Sequence, residues 1–260
     1  MRAYTAFFGF KFEPFERAVN LDLFYLSEQH KNALAMLETF LTSEGSLALL
    51  LGESGVGKSL TIKKFLSQLP SGVCYTYINL PNFTEGDLLK KLLADFVDAP
   101  INDDHPREQF ARFLAQIDRG ALIIAVDGAH TLSSQSLLTL LALKENGVKI
   151  ILSGLASLRE RVELQGAIDA EFEIPTLSFA SCKEYLSYRV KQAGSTLELP
   201  NPLAKQIWLV SKGNPLIINA LMKRLFAAAF LDNSLSLKER YFTRAALSLN
   251  LAGKVERKNP

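Results

Sequence analysis

The sequence predicts an α/β fold in which a parallel sheet covered by helices is followed by a small all-helical domain. Three observations predict it. Short apolar runs recur at 46–51, 73–80, 121–126, 148–152 and 170–174, each of a length suited to a buried strand. Segments of helical periodicity separate them, and strands alternating with helices imply a parallel sheet with both faces covered. From Ser181 onward the periodicity is wholly helical.

Taken in order, residues 1–26 are rich in phenylalanine and contain Phe12-Glu13-Pro14-Phe15, which reads as an extended aromatic arm packed on the core. Ser27 is placed to cap a helix running through Ala33, Leu34, Leu37, Phe40 and Leu41. After the first strand a helix carries Leu60, Ile62, Phe65 and Leu66 on one face and Lys63 and Lys64 on another. Thr84 caps a helix through Leu88, Leu89, Leu92, Leu93 and Phe96; residues 99–107, with Pro100, Asp103, Asp104 and Pro106, form a loop, and 107–117 a further helix. Residues 136–143 are helical between the third and fourth strands. Helices near 181–193, 201–211, 215–230 and 236–250 form a bundle, with Gly213 stopping one helix and Pro215 starting the next. The expected division is therefore an arm over 1–26, an α/β domain over 27–177 and a helical lid domain over 178–260.

The first strand runs into Gly52-Glu53-Ser54-Gly55-Val56-Gly57-Lys58-Ser59, followed by Leu60. This fits G-x-x-x-x-G-K-[ST], the phosphate-binding P-loop. Chance alone gives such a match in roughly one chain of this length in a hundred, and a strand before it with a helix after it is the context the motif requires. Glycines let the backbone fold into a nest of N–H groups facing phosphate oxygens, and the following helix presents its positive end to the same anion. Lys58 then reaches the β- and γ-phosphates, and the Ser59 hydroxyl holds Mg²⁺. ATP and Mg²⁺ are the expected ligands, with residues 52–60 around the phosphates.

The third strand ends in Asp127, the pattern of a Walker B element whose carboxylate holds Mg²⁺ through its water shell. In many P-loop ATPases a glutamate comes next and orients the attacking water. Here it is Gly128, which has no side chain to act as a base. His130 lies close by in sequence and accepts protons in principle. The expectation is nucleotide binding with slow or partner-dependent hydrolysis.

Composition narrows the class further. Apolar residues make up 48% of the 260 residues, ample for a packed core. Two cysteines, Cys74 and Cys182, provide no disulfide framework and suggest a reducing compartment. No apolar run approaches the roughly 18 residues that span a membrane, and the apolar core of the N-terminus is too short for a signal peptide, so a cytoplasmic location is expected. The net charge of +2 hides an asymmetry: residues 178–260 hold 13 Lys/Arg and 5 Asp/Glu, while the remainder is net acidic. A basic C-terminal third suits duplex DNA, an acidic partner or anionic lipid.

Several segments together carry a resemblance. Phe7-Phe8-Gly9-Phe10 with Pro14-Phe15, then Phe24-Tyr25-Leu26-Ser27-Glu28-Gln29-His30, then the P-loop, resemble the ExeA/GspA branch of the AAA+ ATPases, which includes MshM-like pilus-biogenesis ATPases. Ser153-Gly154-Leu155-Ala156-Ser157-Leu158-Arg159-Glu160 is similar to the segment after that family's fourth strand, and Gly213-Asn214-Pro215-Leu216-Ile217-Ile218-Asn219 to its lid segment G-x-P-R-x-I-N. The resemblance covers about residues 4–230 and implies an α/β nucleotide domain with a helical lid. It further implies a sensor-like role for Ser153 near the γ-phosphate, and an arginine, Arg159 or Arg161, that reaches a neighbouring subunit's nucleotide. Two departures stand out: Leu216 replaces the lid arginine that contacts phosphate, and Gly128 replaces the catalytic glutamate. Lys223 and Arg224 lie further along the same helix, off the motif.

These readings imply a homo-oligomer with ATP at its interfaces, acting as a nucleotide-gated assembly factor for an envelope or pilus machine and attached peripherally at the inner membrane through a partner. A DNA-transaction ATPase, like the target-selecting ATPases of transposons, and a non-hydrolysing nucleotide-binding scaffold are the alternatives. Secretion-type members carry a membrane span and a peptidoglycan-binding region after the lid, and the end of this sequence at Pro260 favours the pilus-type or DNA-transaction members.

Overall fold

The computed structural model describes residues 3–16, 20–79, 84–96, 108–109, 111–112, 115 and 122–251. In chain order the elements are α1 (Ala3–Phe7), α2 (Glu28–Thr42), β1 (Leu47–Leu51), α3 (Lys58–Leu66), β2 (Cys74–Ile78), α4 (Glu85–Phe96), β3 (Leu122–Asp127), α5 (Ser134–Glu145), β4 (Lys149–Gly154), β5 (Ala170–Glu173), α6 (Phe179–Gln192), α7 (Asn201–Ser211), α8 (Pro215–Leu231) and α9 (Glu239–Ser248). The loop expected over 99–107 and most of the helix expected over 107–117 lie outside the described residues. The chain divides into two compact units. One comprises Glu28–Glu53 and Lys58–Ile174; the other comprises Met1–Ser27, Ser54–Gly57 and Pro175–Pro260.

The first unit is built on a five-stranded parallel sheet in the order β2-β3-β4-β1-β5. Its central strands β1, β3 and β4 are buried along their whole length, which is why Leu47–Leu51, Leu122–Val126 and Ile150–Leu152 read as apolar runs. Leu88, Leu89, Leu92 and Leu93 of α4 and Leu137 and Leu140 of α5 pack with Ile124, Val126, Ile150 and Leu152 in one core. Each such side chain contributes roughly 1.5–3 kcal/mol on burial. β5 is an edge strand with alternating exposure, so its sequence carries less apolar signal.

Helix starts follow side-chain caps. Ser133 accepts from the Ser136 amide at 3.1 Å, so α5 begins at Ser134 and not at Ser136 as the apolar spacing predicts. Thr84 and Asp87 cap α4 reciprocally: the Asp87 amide donates to Thr84 Oγ1 at 3.2 Å and the Thr84 amide to Asp87 Oδ2 at 3.2 Å. Two polar fasteners fix the start of β1. Lys149 Nζ donates to the carbonyls of Phe40 (3.0 Å), Ser43 (2.7 Å) and Gly45 (2.8 Å), closing the C-terminal end of α2. Asp169 Oδ2 accepts from the Ser46 and Leu47 amides at 2.8 and 2.9 Å. Holding β1 at this end sets its register, and thereby the place where its other end releases the glycine loop.

In the second unit α6 to α9 surround an aromatic centre. The rings of Phe8, Phe10, Phe15 and Tyr4 lie 4.9, 5.1, 6.1 and 6.2 Å from that of Phe226. The N-terminal arm thus belongs to the core of the helical unit. Arg189, only 6% exposed, ties it down by donating to the carbonyls of Pro14 (2.5 Å), Leu23 (3.3 Å) and Glu16 (3.3 Å). Tyr25 adds a 2.6 Å hydrogen bond to Glu184 of α6. Asn214 caps α8, whose first residue is Pro215, as the sequence predicts. Among the described residues no helix is long and apolar enough to cross a membrane.

Candidate functional site

β1 ends at Leu51 and α3 begins at Lys58, so the intervening loop must reverse direction in six residues. Gly57 does so at φ 106°, in the left-handed region open to glycine. The loop delivers Lys58 and Ser59 to the first turn of α3, where backbone N–H groups lack helical partners. Lys58 Nζ donates to the carbonyls of Gly52 and Glu53, each at 2.8 Å. Burial pulls the Lys58 ammonium below the usual lysine range, while Asp127 and Glu53 act in the opposite sense.

Asp127 ends β3 and pairs in register with Ser153 of β4, which places their side chains together at the C-terminal end of the sheet. Ser153 Oγ donates to Asp127 Oδ1 at 2.8 Å. The other oxygen, Oδ2, accepts from Ser59 Oγ and, at 2.9 Å, from the Tyr77 hydroxyl. Asp127 is 7% exposed and Ser153 fully buried. The structure therefore brings Lys58, Ser59, Asp127 and Ser153 together. Tyr77 lies outside the sequence motifs; burial, then the Asp127 charge, raises its phenol above the ordinary tyrosine value. Its only signal is register, because Tyr77 and Ala125 pair on adjacent strands, two residues short of Asp127.

Beyond Asp127 the chain turns at once. Gly128 has φ 78° and ψ 23° and precedes a 3-10 turn over Ala129–Thr131. Position 128 thus lacks a side chain and also takes a backbone conformation that L-residues avoid. His130 follows; its Nδ1 is buried without a hydrogen-bond partner among the described residues. Desolvation and the nearby Lys58 charge lower its pKa against the opposing effect of Asp127, so the ring is neutral near pH 7.

The loop residues Ser54–Gly57 group with the helical unit, and Asn214 explains part of that grouping. Its Oδ1 accepts from the Leu216 amide and its Nδ2 donates to the Ser54 carbonyl, both at 3.0 Å. One side chain thus caps α8 and holds the phosphate-loop backbone. Leu216 packs on Gly55, and Leu216 Cβ would lie 2.4 Å from a Cβ added there.

The two arginines have different surroundings. Arg159 Nη2 bridges Glu171 Oε1 and Glu173 Oε2 on β5 at 2.7 and 2.8 Å and stays partly exposed. Arg161 is more enclosed: it donates to the Leu132 carbonyl at 2.9 Å and grips Glu163 with Nε and Nη2 at 3.2 and 2.8 Å. That grip lowers the Glu163 carboxyl to about 2.

The donor set fits a nucleoside triphosphate with Mg²⁺. A hydroxyl and a carboxylate stand together at the start of α3, both hard oxygen donors of the kind Mg²⁺ accepts beside phosphate oxygens. Among the described residues no group of three or more His, Cys, Asp or Glu is arranged to hold a metal by itself.

Comparison with known proteins bears on this geometry. Residues 41–162 match the family model described as an AAA domain. The chain is 31% identical over 252 residues to general secretion pathway protein A of Aeromonas hydrophila, covering 89% of this chain and 46% of that protein; it spans about half the length of that relative. Among solved structures, the Thermotoga maritima RuvB Holliday junction branch migration motor superposes with a TM-score of 0.60 at 18% identity, over 92% of this chain and 75% of that one. A chain of Drosophila ORC bound to DNA gives 0.70 at 15% identity, over 94% and 66%. The Aeropyrum pernix ORC2 protein, in ADPNP-ADP complexes, gives 0.62 at 15% identity, over 96% and 73%. The structural likenesses at these identities concern the fold.

Proposed function

We propose that this chain, which belongs to the AAA+ ATPases of the ExeA/GspA kind, is a nucleotide-gated oligomeric switch that grips ATP·Mg²⁺ and turns it over slowly or only with a partner. The observation that carries this reading is the contrast at the end of β3. Asp127 stands hydrogen-bonded to Ser59 and Ser153, while the next residue is a glycine at positive φ. The binding half of the chemistry is present and the side chain that would orient water is missing.

The roles follow from chemistry. Backbone N–H groups of residues 52–60 and the start of α3 bind phosphate oxygens, and Lys58 neutralises the β- and γ-phosphates. Ser59 and Asp127 hold Mg²⁺, which when bound supplies charge that offsets the negative charge of the phosphates. Lys58 would exchange its bonds to the Gly52 and Glu53 carbonyls for phosphate oxygens, so ligand binding also releases and reshapes the loop. Ser153 orients Asp127 and offers a hydroxyl toward the γ-phosphate. Arg159 acts on the nucleotide of a neighbouring subunit. Leu216, where the family's lid segment carries an arginine, has no charge to offer a phosphate.

Kinship with a general secretion pathway protein supports an envelope or pilus assembly machine as the partner, with the chain cytoplasmic and held at the inner membrane through that partner. A second reading, a DNA-transaction ATPase, is favoured by the 13 Lys/Arg against 5 Asp/Glu in residues 178–260 and by likeness in fold to a Holliday junction branch migration motor and to a chain of ORC bound to DNA. One experiment separates them: oligomer size and phosphate release with ATP·Mg²⁺, with and without duplex DNA. ATP-induced rings indifferent to DNA support the assembly switch. Salt-sensitive, DNA-stimulated turnover supports the second reading. Binding without turnover under every condition leaves a scaffold, and brisk turnover by the chain alone would refute the switch. Lys58→Ala is expected to abolish nucleotide binding while the fold remains.

A further inference from the structure

We infer that Tyr77 is a positioning residue for the magnesium-binding carboxylate, setting how much Mg²⁺ the site needs. The inference rests on the ATP·Mg²⁺ reading above and adds a residue outside the motifs. Among the described residues Asp127 has three side-chain donors: Ser153 on Oδ1, and Ser59 with Tyr77 on Oδ2. Their fates differ when the ion binds. The Ser59 hydroxyl would hold Mg²⁺ through an oxygen lone pair while its proton stays available to Asp127, so its position follows the ion. Ser153 alone leaves the carboxylate free to rotate about one anchored oxygen. Tyr77 is the donor to the second oxygen that takes no part in holding the ion, so it fixes Oδ2, shared with Ser59, whether or not Mg²⁺ is bound.

The tyrosine is held firmly enough for this task. Its backbone pairs with Ala125 in the β2–β3 ladder, so its ring emerges from the sheet beside Asp127. The ammonium of Lys63 on α3 lies 5.1 Å from its ring centroid, pinning the ring between the strand and the helix that carries Ser59. The tyrosine side chain reaches from β2 to the end of β3; phenylalanine keeps the ring and the lysine contact and removes the donor alone. Hydrogen-bond partners of metal-binding carboxylates typically change metal affinity by about 10–100-fold when removed.

The test is Tyr77→Phe in the full chain, with binding of a fluorescent ATP analogue titrated against Mg²⁺ and repeated in EDTA. The expected result is a Mg²⁺ concentration for half-maximal binding raised about ten-fold, with analogue affinity in EDTA unchanged. A purely structural tyrosine would lower affinity equally with and without Mg²⁺, and that outcome overturns the inference. So does a Mg²⁺ requirement within two-fold of the parent. The parent protein tells the two failures apart: if it binds the analogue with Mg²⁺, an unchanged variant removes only the role of Tyr77. If the parent binds no nucleotide, the site reading itself falls and the inference with it. Should Tyr77→Phe fold poorly, Lys63→Met, which frees the ring but keeps the hydroxyl, is expected to raise the Mg²⁺ requirement to a lesser degree; no change there overturns the pinning argument.

Discussion

Gly55 and Leu216 meet so closely that a Cβ on residue 55 would stand 2.4 Å from the Leu216 Cβ. Gly55 also has φ 90°. Two separate costs therefore oppose Gly55→Ala: about 1–2 kcal/mol for the left-handed backbone and about 1–3 kcal/mol for overpacking. We expect the variant to lose thermal stability and nucleotide affinity together. Adding Leu216→Ala should recover the overpacking part of the loss and leave the backbone part, a non-additivity that a double-mutant cycle by denaturant unfolding reads directly. Strict additivity would mean that the two residues do not meet in solution.

A related prediction concerns the missing glutamate. Gly128 has φ 78°, so Gly128→Glu places a β-carbon where the left-handed backbone disfavours it, and the new carboxylate starts from a strained turn. The variant is expected to be less stable by about 1–2 kcal/mol and to gain no more than a few-fold in phosphate release. Gly128→Asn, a residue that tolerates this region, should cost less. A large gain in turnover by Gly128→Glu at unchanged stability would show that glycine is there only for want of a side chain.

How far the sequence reveals this molecule depends on the range of the interaction involved. β1, β3 and β4 are legible because both faces are buried and the strands become plain apolar runs. The start of α8 is legible because Gly213 and Pro215 are local signals, whereas the Asn214 cap emerges only in the structure. Lys58, Ser59 and Asp127 are named by motif, and Ser153 falls beside Asp127 because parallel register aligns two strand ends. Other features are set by tertiary contact and leave no local mark. Tyr77 looks like any edge-strand aromatic until β2 is registered against β3. The second bond of Asn214, to the Ser54 carbonyl, joins residues 160 apart in sequence. The phenylalanines of the arm announce burial, but nothing local says that Phe226 is what they bury against.

Acid should loosen the segment after β4. The grip of Arg161, aided by Ser134, lowers the Glu163 carboxyl from 4.5 to about 2. A depressed carboxylate pKa means that the unfolded chain binds the proton more readily, so this contribution is complete above about pH 4.5 and fades as pH falls toward 2. Urea midpoints measured across that window should fall less steeply for Glu163→Gln than for the parent. Identical slopes would show that the pair does not form in solution.

The last prediction addresses Arg159. Its bonds to Glu171 and Glu173 are partly exposed, and exposed pairs of this kind contribute at most about 1 kcal/mol each. Arg159→Ala should therefore fold almost normally and still bind nucleotide, since its partners among the described residues, Glu171 and Glu173, belong neither to the loop nor to the surroundings of Asp127. If Arg159 serves the nucleotide of a neighbour, phosphate release per oligomer should drop by at least ten-fold, the scale of a lost charge on a developing phosphoryl centre. The decisive arrangement mixes two inactive proteins. Lys58→Ala keeps its arginine but cannot hold nucleotide; Arg159→Ala holds nucleotide but lacks the arginine. In mixed oligomers some interfaces join a competent loop to a competent arginine, and phosphate release should reappear with a maximum near equal proportions. An arginine acting within its own subunit leaves every subunit defective at every ratio, so activity would stay flat across the mixing series. The same series with Arg161→Ala serves as the comparison: its bonds to the Leu132 carbonyl and to Glu163 stabilise its own chain, so that variant should lose thermal stability and show no recovery on mixing.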